Sequence, residues 1–376
     1  MIPQVNFGFG LKTGRSMKPE SAIKDISAAR LSSQSISRGD LRTPEGVVAW
    51  LVAIQAQDFD MARWAVGVRL PGSTDTAVQN AVGKSRIIRT HVLRPTWHFV
   101  TAQDVGWLLD LTAPQIRTAL RSRHRQLELS DSIIRRSHKL LEKLLGNGAQ
   151  LTRGELTAAY RSAKIATDDN RLSHFLLLAE LDKLICSGGV KRGKPTYAIY
   201  GRMVPGSKPV PREEALATLA RRYFDSRGPA TIADFIWWSG LPSRDAARSV
   251  EMIRSHVDVA RIGEASYLCS RSTTTNHLPK DSLYLLPAYD EFLLSYADRS
   301  AALSRTRQKK TISSNGIFRP TIVLNGKVVG IWKRTRTGPL EAAFFEPPGR
   351  KVKDKLREVA QPLGSFYGTQ ITIQYE

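Results

Sequence analysis

From Ile26 to Leu70 the apolar positions recur at helical spacing, in DISAARL, TPEGVVAWLVAI and DMARWAVGVRL. Thr43-Pro44-Glu45 predicts a helix start, with Thr43 as the cap and Pro44 at the first helical position, where a missing N–H is harmless. The run SRIIRTHVLRPTWHFV (85–100) is β-branched and aromatic, and Arg94-Pro95 interrupts it, which predicts a hairpin. Helices followed by a hairpin are the grammar of a winged helix.

The grammar recurs. Asp131 to Leu145 is helical, and Gly146-Asn147-Gly148 breaks it. Residues 151–163 open a second helix with Thr152 and Glu155 at capping-box spacing. RLSHFLLLAELDKLICSG (171–188) predicts a third, stopped by Gly188-Gly189, and VKRGKPTYAIY (190–200) predicts a basic wing. Beyond the Pro209/Pro211 linker, helices are expected over 212–228, 230–240 and 241–254, the last capped by Ser243. An alternating stretch then follows over 257–270. After the polar 271–280 the strands SLYLLPAY, FRPTIVLNGKVVGIWKRT, AAFFEPP and QITIQYE dominate, with Asn325-Gly326 as a hairpin turn and one helix at 351–363. The expected fold class is α+β: tandem winged-helix modules at 26–130, 131–208 and 209–280, then a small C-terminal β-barrel or curved sheet at 281–376. Residues 1–25 are expected to be a flexible leader, with Met17 as an alternative start to Met1.

Charge changes the picture. Fifty-six Lys+Arg against 34 Asp+Glu leave +22 over 376 residues, which points to a polyanionic partner. No stretch approaches the ~20 apolar residues of a membrane span. Cys186 and Cys269 cannot form a disulfide framework or a thiolate zinc site, and seven scattered histidines show no ligand spacing, so neither metal nor cofactor is expected. Without a signal peptide or a coiled-coil heptad, the expectation is a monomer in the bacterial cytosol, associated with the nucleoid. Phosphate contacts are expected from the wing residues Lys191, Arg192 and Lys194, from Arg117, Arg121, Arg123 and Arg125, and from the loop SRTRQKK (304–310). In that loop Arg305, Arg307, Lys309 and Lys310 meet no acid. Taken singly, each cluster reads equally well as a solvated face.

Two segments carry candidate chemistry. In LVAIQAQDF (51–59), Gln55 and Gln57 lie between apolar helices, where an unpaired buried amide costs about 1–3 kcal/mol. On one continuous helix the two would diverge by roughly 200°, so a shared site requires the helix to end near Ile54. Otherwise one glutamine ties down a loop and the other is exposed. In RPTWHF (94–99), Arg94, Trp97 and His98 combine a phosphate binder, a stacking plate and a titratable group, although strand alternation sends Trp97 and His98 to opposite faces.

Gln55-Ala56-Gln57, RTHVLRPTWHF, LLPAYDEFLLSYADRS (285–300) and GIFRPTIVLNGKVVGIWKR (316–334) together resemble the winged-helix DNA glycosylases typified by AlkZ and YcaQ. The resemblance runs from about Ile26 to the C-terminus. It implies excision of alkylated purines, bulky or crosslinked ones included, from double-stranded DNA, with Gln55 and Gln57 as the catalytic pair. YcaQ-type members would carry aspartate in place of Gln57. Cationic N3- or N7-alkylated purines need no protonating acid, so the remaining task is to position water and place negative dipole near the sugar. Asp58 and Asp60 either add field there or cap the next helix. The resemblance also makes Asp290, Glu291, Arg299, Arg305, Arg307 and Arg319 DNA-facing candidates. The competing expectation is a winged-helix regulator that binds DNA without catalysis.

Overall fold

The computed structural model describes residues 26–206, 208–271, 278–334 and 338–376. The leader and the choice between Met1 and Met17 lie outside the described residues.

The first unit comprises α1 (Ile26–Ser33), α2 (Pro44–Leu51), β1 (Ile54–Gln55), α3 (Phe59–Gly67), α4 (Asp75–Gly83), β2 (Ile87–His91), β3 (Trp97–Thr101) and the long α5 (Val105–Gln126). The Thr43 hydroxyl accepts the Gly46 N–H at 3.0 Å, the cap expected of that triplet. The hairpin β2–β3 takes β1 onto its outer side, giving an antiparallel order β1-β3-β2.

Next come α6 (Asp131–Leu145), β4 (Leu151–Thr152), α7 (Arg153–Ser162), α8 (Arg171–Leu181), β5 (Ile185–Lys191) and β6 (Lys194–Ile199). Thr152 and Glu155 form the expected capping box. The third helix, however, stops seven residues early. Lys183 turns the chain at φ +55, and Ile185 and Cys186 enter a buried strand. Gly188-Gly189 lies inside that strand at a register shift, where a Cβ on Gly188 would stand 2.6 Å from the Gln150 and Thr196 side chains.

The third stretch holds α9 (Tyr200–Met203), α10 (Arg212–Arg227), α11 (Ile232–Ser239), α12 (Ser243–Met252), β7 (Val257–Ile262) and β8 (Ala265–Ser270). Ser243 does not cap α12: it is the first helical residue, after Pro242, and no side-chain cap bond forms there.

The C-terminal part contains β9 (Leu283–Leu286), α13 (Glu291–Leu294), α14 (Arg305–Thr311), β10 (Thr321–Leu324), β11 (Lys327–Arg334), β12 (Leu340–Phe344), α15 (Arg350–Tyr367) and β13 (Ile373–Tyr375). Its sheet runs β13-β12-β11-β10-β9 and, among the described residues, its two outer strands do not pair with each other. It is an open sheet, so the barrel alternative fails and the sheet alternative stands. Its inner face is instead covered by α15 and the first unit: Leu285, Ile322 and Trp332 share one core with Leu356, Phe366, Trp64 and Phe99. The basic stretch expected as a loop at 304–310 is largely helical, as α14.

A second core joins Val52 and Leu93 of the first unit to Tyr223, Phe235 and Trp238 of the third. Residues 52–56 are therefore clasped between the C-terminal sheet on one side and α10–α11 on the other.

Candidate active site

The Q-x-Q segment departs from its helix sharply. After α2, Val52 adopts φ +62 and ψ −53, and the Ala53 N–H reaches the Leu51 carbonyl at 2.6 Å, a three-residue γ-turn. This is an unfavourable backbone for a β-branched residue, so surrounding contacts must hold it. Arg227 supplies them: its guanidinium donates to the Leu51 carbonyl at 2.9 Å and the Ala53 carbonyl at 3.0 Å. From the other side Arg89 donates to the Ala56 carbonyl at 2.9 Å and the Gln57 carbonyl at 3.5 Å. The helix ends three residues before Ile54, and Ile54–Gln55 runs extended against Phe99 and His98.

Gln55 is buried and Gln57 exposed. The Gln55 N–H donates to Glu291 Oε1 at 2.9 Å, and Gln55 Oε1 accepts the Gln57 N–H at 3.0 Å. The first carboxamide thus fixes the backbone of the second glutamine, whose own side chain makes no hydrogen bond among the described residues. Asp58 is the cap of α3, accepting the Asp60 and Met61 N–H groups at 3.0 Å each, and Asp60 pairs with Arg63 at 2.8 Å.

Asp290 and Glu291 do not face DNA; both are buried. Arg69 grips Asp290 through two bonds, at 2.8 and 2.9 Å, and Asp290 caps α13. Glu291 Oε2 accepts from Arg227 at 2.9 Å, the Ser295 hydroxyl at 2.5 Å and the Trp238 indole at 3.1 Å. Burial works against the Glu291 charge, but Arg227, Ser295 and the Gln55 N–H outweigh it and hold its carboxyl below the usual range. Arg227, Trp238 and Ser295 carried no signal in the sequence; each is an ordinary helix residue until its distant partner is known.

His98 is 1 % exposed, so it cannot serve as a surface DNA contact. Its Nδ1 lies 2.9 Å from the Thr96 carbonyl, which can only accept, so Nδ1 carries the proton and Nε2 is left with its lone pair. Burial, reinforced by Arg94, pushes its pKa down to about 3. As the direct cross-strand partner of Gln55, this neutral imidazole stands on the same face of the sheet. Trp97 is half-buried, and its stacking face is already taken by the Arg89 guanidinium, 4.4 Å from the ring centroid.

Arg94 follows a second positive-φ turn, at Leu93 (φ +62), where the Arg94 N–H reaches the Val92 carbonyl at 2.7 Å. Its guanidinium lies 5.5 Å from the Trp237 ring, and Arg299 lies 5.2 Å from the same ring. Burial and then Arg94 bring the Arg299 pKa down to about 10. Arg94 Nε is buried without a hydrogen-bond partner. Two guanidinium groups held near one indole, neither in an ion pair with a carboxylate among the described residues, form a cationic site close to His98. Trp237 was not foreseen.

The remaining basic candidates scatter over the surface. Arg192, Lys194, Arg305, Lys309, Lys310 and Arg319 are exposed. Lys191 pairs with Glu155 at 2.5 Å, and Arg307 pairs with Glu346, so the expectation that the 304–310 bases meet no acid fails through a residue 39 positions away. Arg117 likewise pairs with Asp182, at 2.5 Å. Among the described residues no group of three or more His, Cys, Asp or Glu could hold a metal, and no helix is long and apolar enough to cross a membrane.

The family model described as "DNA glycosylase AlkZ-like" matches residues 48–366. An "Interstrand DNA cross-link repair glycosylase" of Streptomyces sahachiroi is 23% identical over 333 residues, 84% of this chain and 88% of that protein. The solved structure of the Streptomyces sahachiroi DNA glycosylase AlkZ superposes with a TM-score of 0.78 at 19% identity, over 93% of this chain and 98% of that one. The chain belongs to the AlkZ-like DNA glycosylase family.

Proposed function

We propose that this chain is a monofunctional glycosylase of double-stranded DNA that hydrolyses the N-glycosidic bond of N3- or N7-alkylated purines, bulky and crosslinked adducts included. One water is consumed, and the products are the free base and an abasic site. The regions 26–130, 131–208 and 209–280 act as winged-helix DNA-binding modules in a monomer. The observation that carries the reading is the Q-x-Q geometry: a buried Gln55 that orients the backbone of Gln57, leaving the Gln57 carboxamide exposed and unengaged.

In this reading an alkylated purine leaves as a neutral base, and positive charge develops on the sugar. The Gln57 carboxamide oxygen faces that charge and orients the attacking water; Gln55 keeps it in place. Glutamine is not an ordinary general base at neutral pH, so the rate gain rests on a leaving group that is already cationic. A neutral His98 adds no opposing charge. Arg94 and Arg299 bind a phosphodiester flanking the lesion, with Arg192, Lys194, Arg305, Lys309, Lys310 and Arg319 along the backbone. The cross-link repair role named for the Streptomyces sahachiroi relative supports crosslinks as substrates. So does the solvent exposure of Gln57, beside a buried Gln55. An open site suits adducts too large for a flipped-base pocket.

The test is base release from duplexes carrying N3-methyladenine, N7-methylguanine or an N7 crosslink, followed by alkaline cleavage of abasic sites. Release from these and not from unmodified DNA is expected. Tight binding to all of them with no release would leave a DNA-binding protein without catalysis.

A further inference from the structure

Among the described residues Ile317 is the most exposed large hydrophobic, at 50%. A single exposed aliphatic residue is ordinary on a protein surface; the setting of this one is not. It sits at the tip of a small hairpin closed by an Ile312–Phe318 bridge. Ser313 ties the tip twice: its N–H donates to the Ile317 carbonyl at 3.0 Å, and its hydroxyl accepts the Ile317 N–H at 3.1 Å. Gly316, at φ +74, makes the turn. The next residue, Phe318, is buried, its ring 6.1 Å from Tyr289 and 5.2 Å from the Arg299 guanidinium. The base of the loop is anchored, and the apolar tip is held out.

The surroundings specify the partner. From Arg299 to Leu340 the sequence has ten Lys or Arg and no Asp or Glu. Glu346 pairs with Arg307, and Arg305, Lys309 and Lys310 before the tip and Arg319 after it stay exposed around it. An apolar point set among exposed cations suits a polyanion with an apolar interior, which is the description of a base-paired duplex. The tip also adjoins the site: the Arg299 guanidinium that lies over Phe318 also lies 5.2 Å from the Trp237 ring, which it shares with Arg94.

We propose that Ile317 is a wedge that enters the base stack of duplex DNA beside the damaged nucleotide. There it unstacks that nucleotide so that its sugar can turn toward Gln57. Apolar side chains of this kind kink and unstack duplexes in other DNA-binding proteins. The proposal rests on the glycosylase reading, but it concerns unstacking rather than bond cleavage.

The test uses the full chain and a duplex with fluorescent 2-aminopurine next to a non-hydrolysable 2′-fluoro analogue of N7-methylguanosine. Wild type is expected to raise the fluorescence several-fold on binding. Ile317→Ala should abolish most of that rise while duplex affinity changes little, and Ile317→Leu should restore it. An undiminished rise with bound Ile317→Ala, or no rise with bound wild type, would overturn the wedge. Unstacking by wild type without base release from the hydrolysable duplex would leave the wedge standing and fail the catalytic reading instead. Absence of any duplex binding would overturn both.

Discussion

The main-chain N–H of Gln55 donates to the carboxylate of Glu291 across 236 positions of sequence, at 2.9 Å. That one bond ties the Q-x-Q segment to the C-terminal part of the chain. Because Glu291 is also the counter-charge of Arg227, it connects the segment to the γ-turn that ends α2. Glu291 is accordingly a positioning residue: it touches the motif's backbone and not the reacting atoms.

Glu291→Gln keeps the shape and leaves the Arg227 guanidinium buried without a counter-charge. Breaking a buried pair this way costs about 3–5 kcal/mol. Urea unfolding should show that loss, and the double variant Glu291→Gln/Arg227→Met should recover part of it. Equal stability of wild type and Glu291→Gln would mean that the pair does not clamp the turn.

His98 gives stability a defined pH dependence. Its folded pKa of about 3 lies below the ordinary 6.5 because of burial and the nearby Arg94, with Glu291 pulling the other way. Between those values the unfolded chain binds the extra proton, so stability falls as pH drops through the window, by up to about 1.4 kcal/mol per pH unit. His98→Asn removes that contribution, and melting curves between pH 7 and pH 5 should be flatter for the variant. A parallel decline in both proteins would reject the buried neutral imidazole.

DNA affinity should be strongly salt-dependent. Lys309→Ala or Arg319→Ala removes a solvent-exposed cation and should leave stability unchanged. Each should lower the slope of log affinity against log salt by about 1 if it contacts a phosphate. Lys191→Ala should do less, since Lys191 is shared with Glu155. Titrations at several salt concentrations check both expectations; a slope untouched by Lys309→Ala and Arg319→Ala would remove that face from the interface.

What could be read in advance divides by the range of the interactions. Thr43 as a cap, the Thr152–Glu155 box, the helix Asp131–Leu145 and the Asn325-Gly326 turn (φ +48 and +79) all rest on neighbours within a few residues. The two glutamines stood out because polar side chains between apolar helices need a reason. The rest depends on partners far away in sequence. Asp290 and Glu291 look like a surface acid pair until Arg69 and Arg227 are folded against them. Helix α2 stops at Leu51, three residues short of Ile54, where Val52 turns to φ +62 and Arg227 takes the Leu51 carbonyl. The sheet stays open because α15, together with the distant Trp64 and Phe99 of the first unit, covers the face a barrel would have enclosed.

Whether Gln57 acts at the scissile bond is decided by single-turnover base release at saturating enzyme. Wild type and Gln57→Ala are compared on one duplex carrying N7-methylguanine, with binding to the uncleavable analogue measured alongside. Gln57→Ala is expected to release base about 10²–10³-fold more slowly, with analogue affinity within a few-fold of wild type. Equal rates for the two proteins would contradict that role.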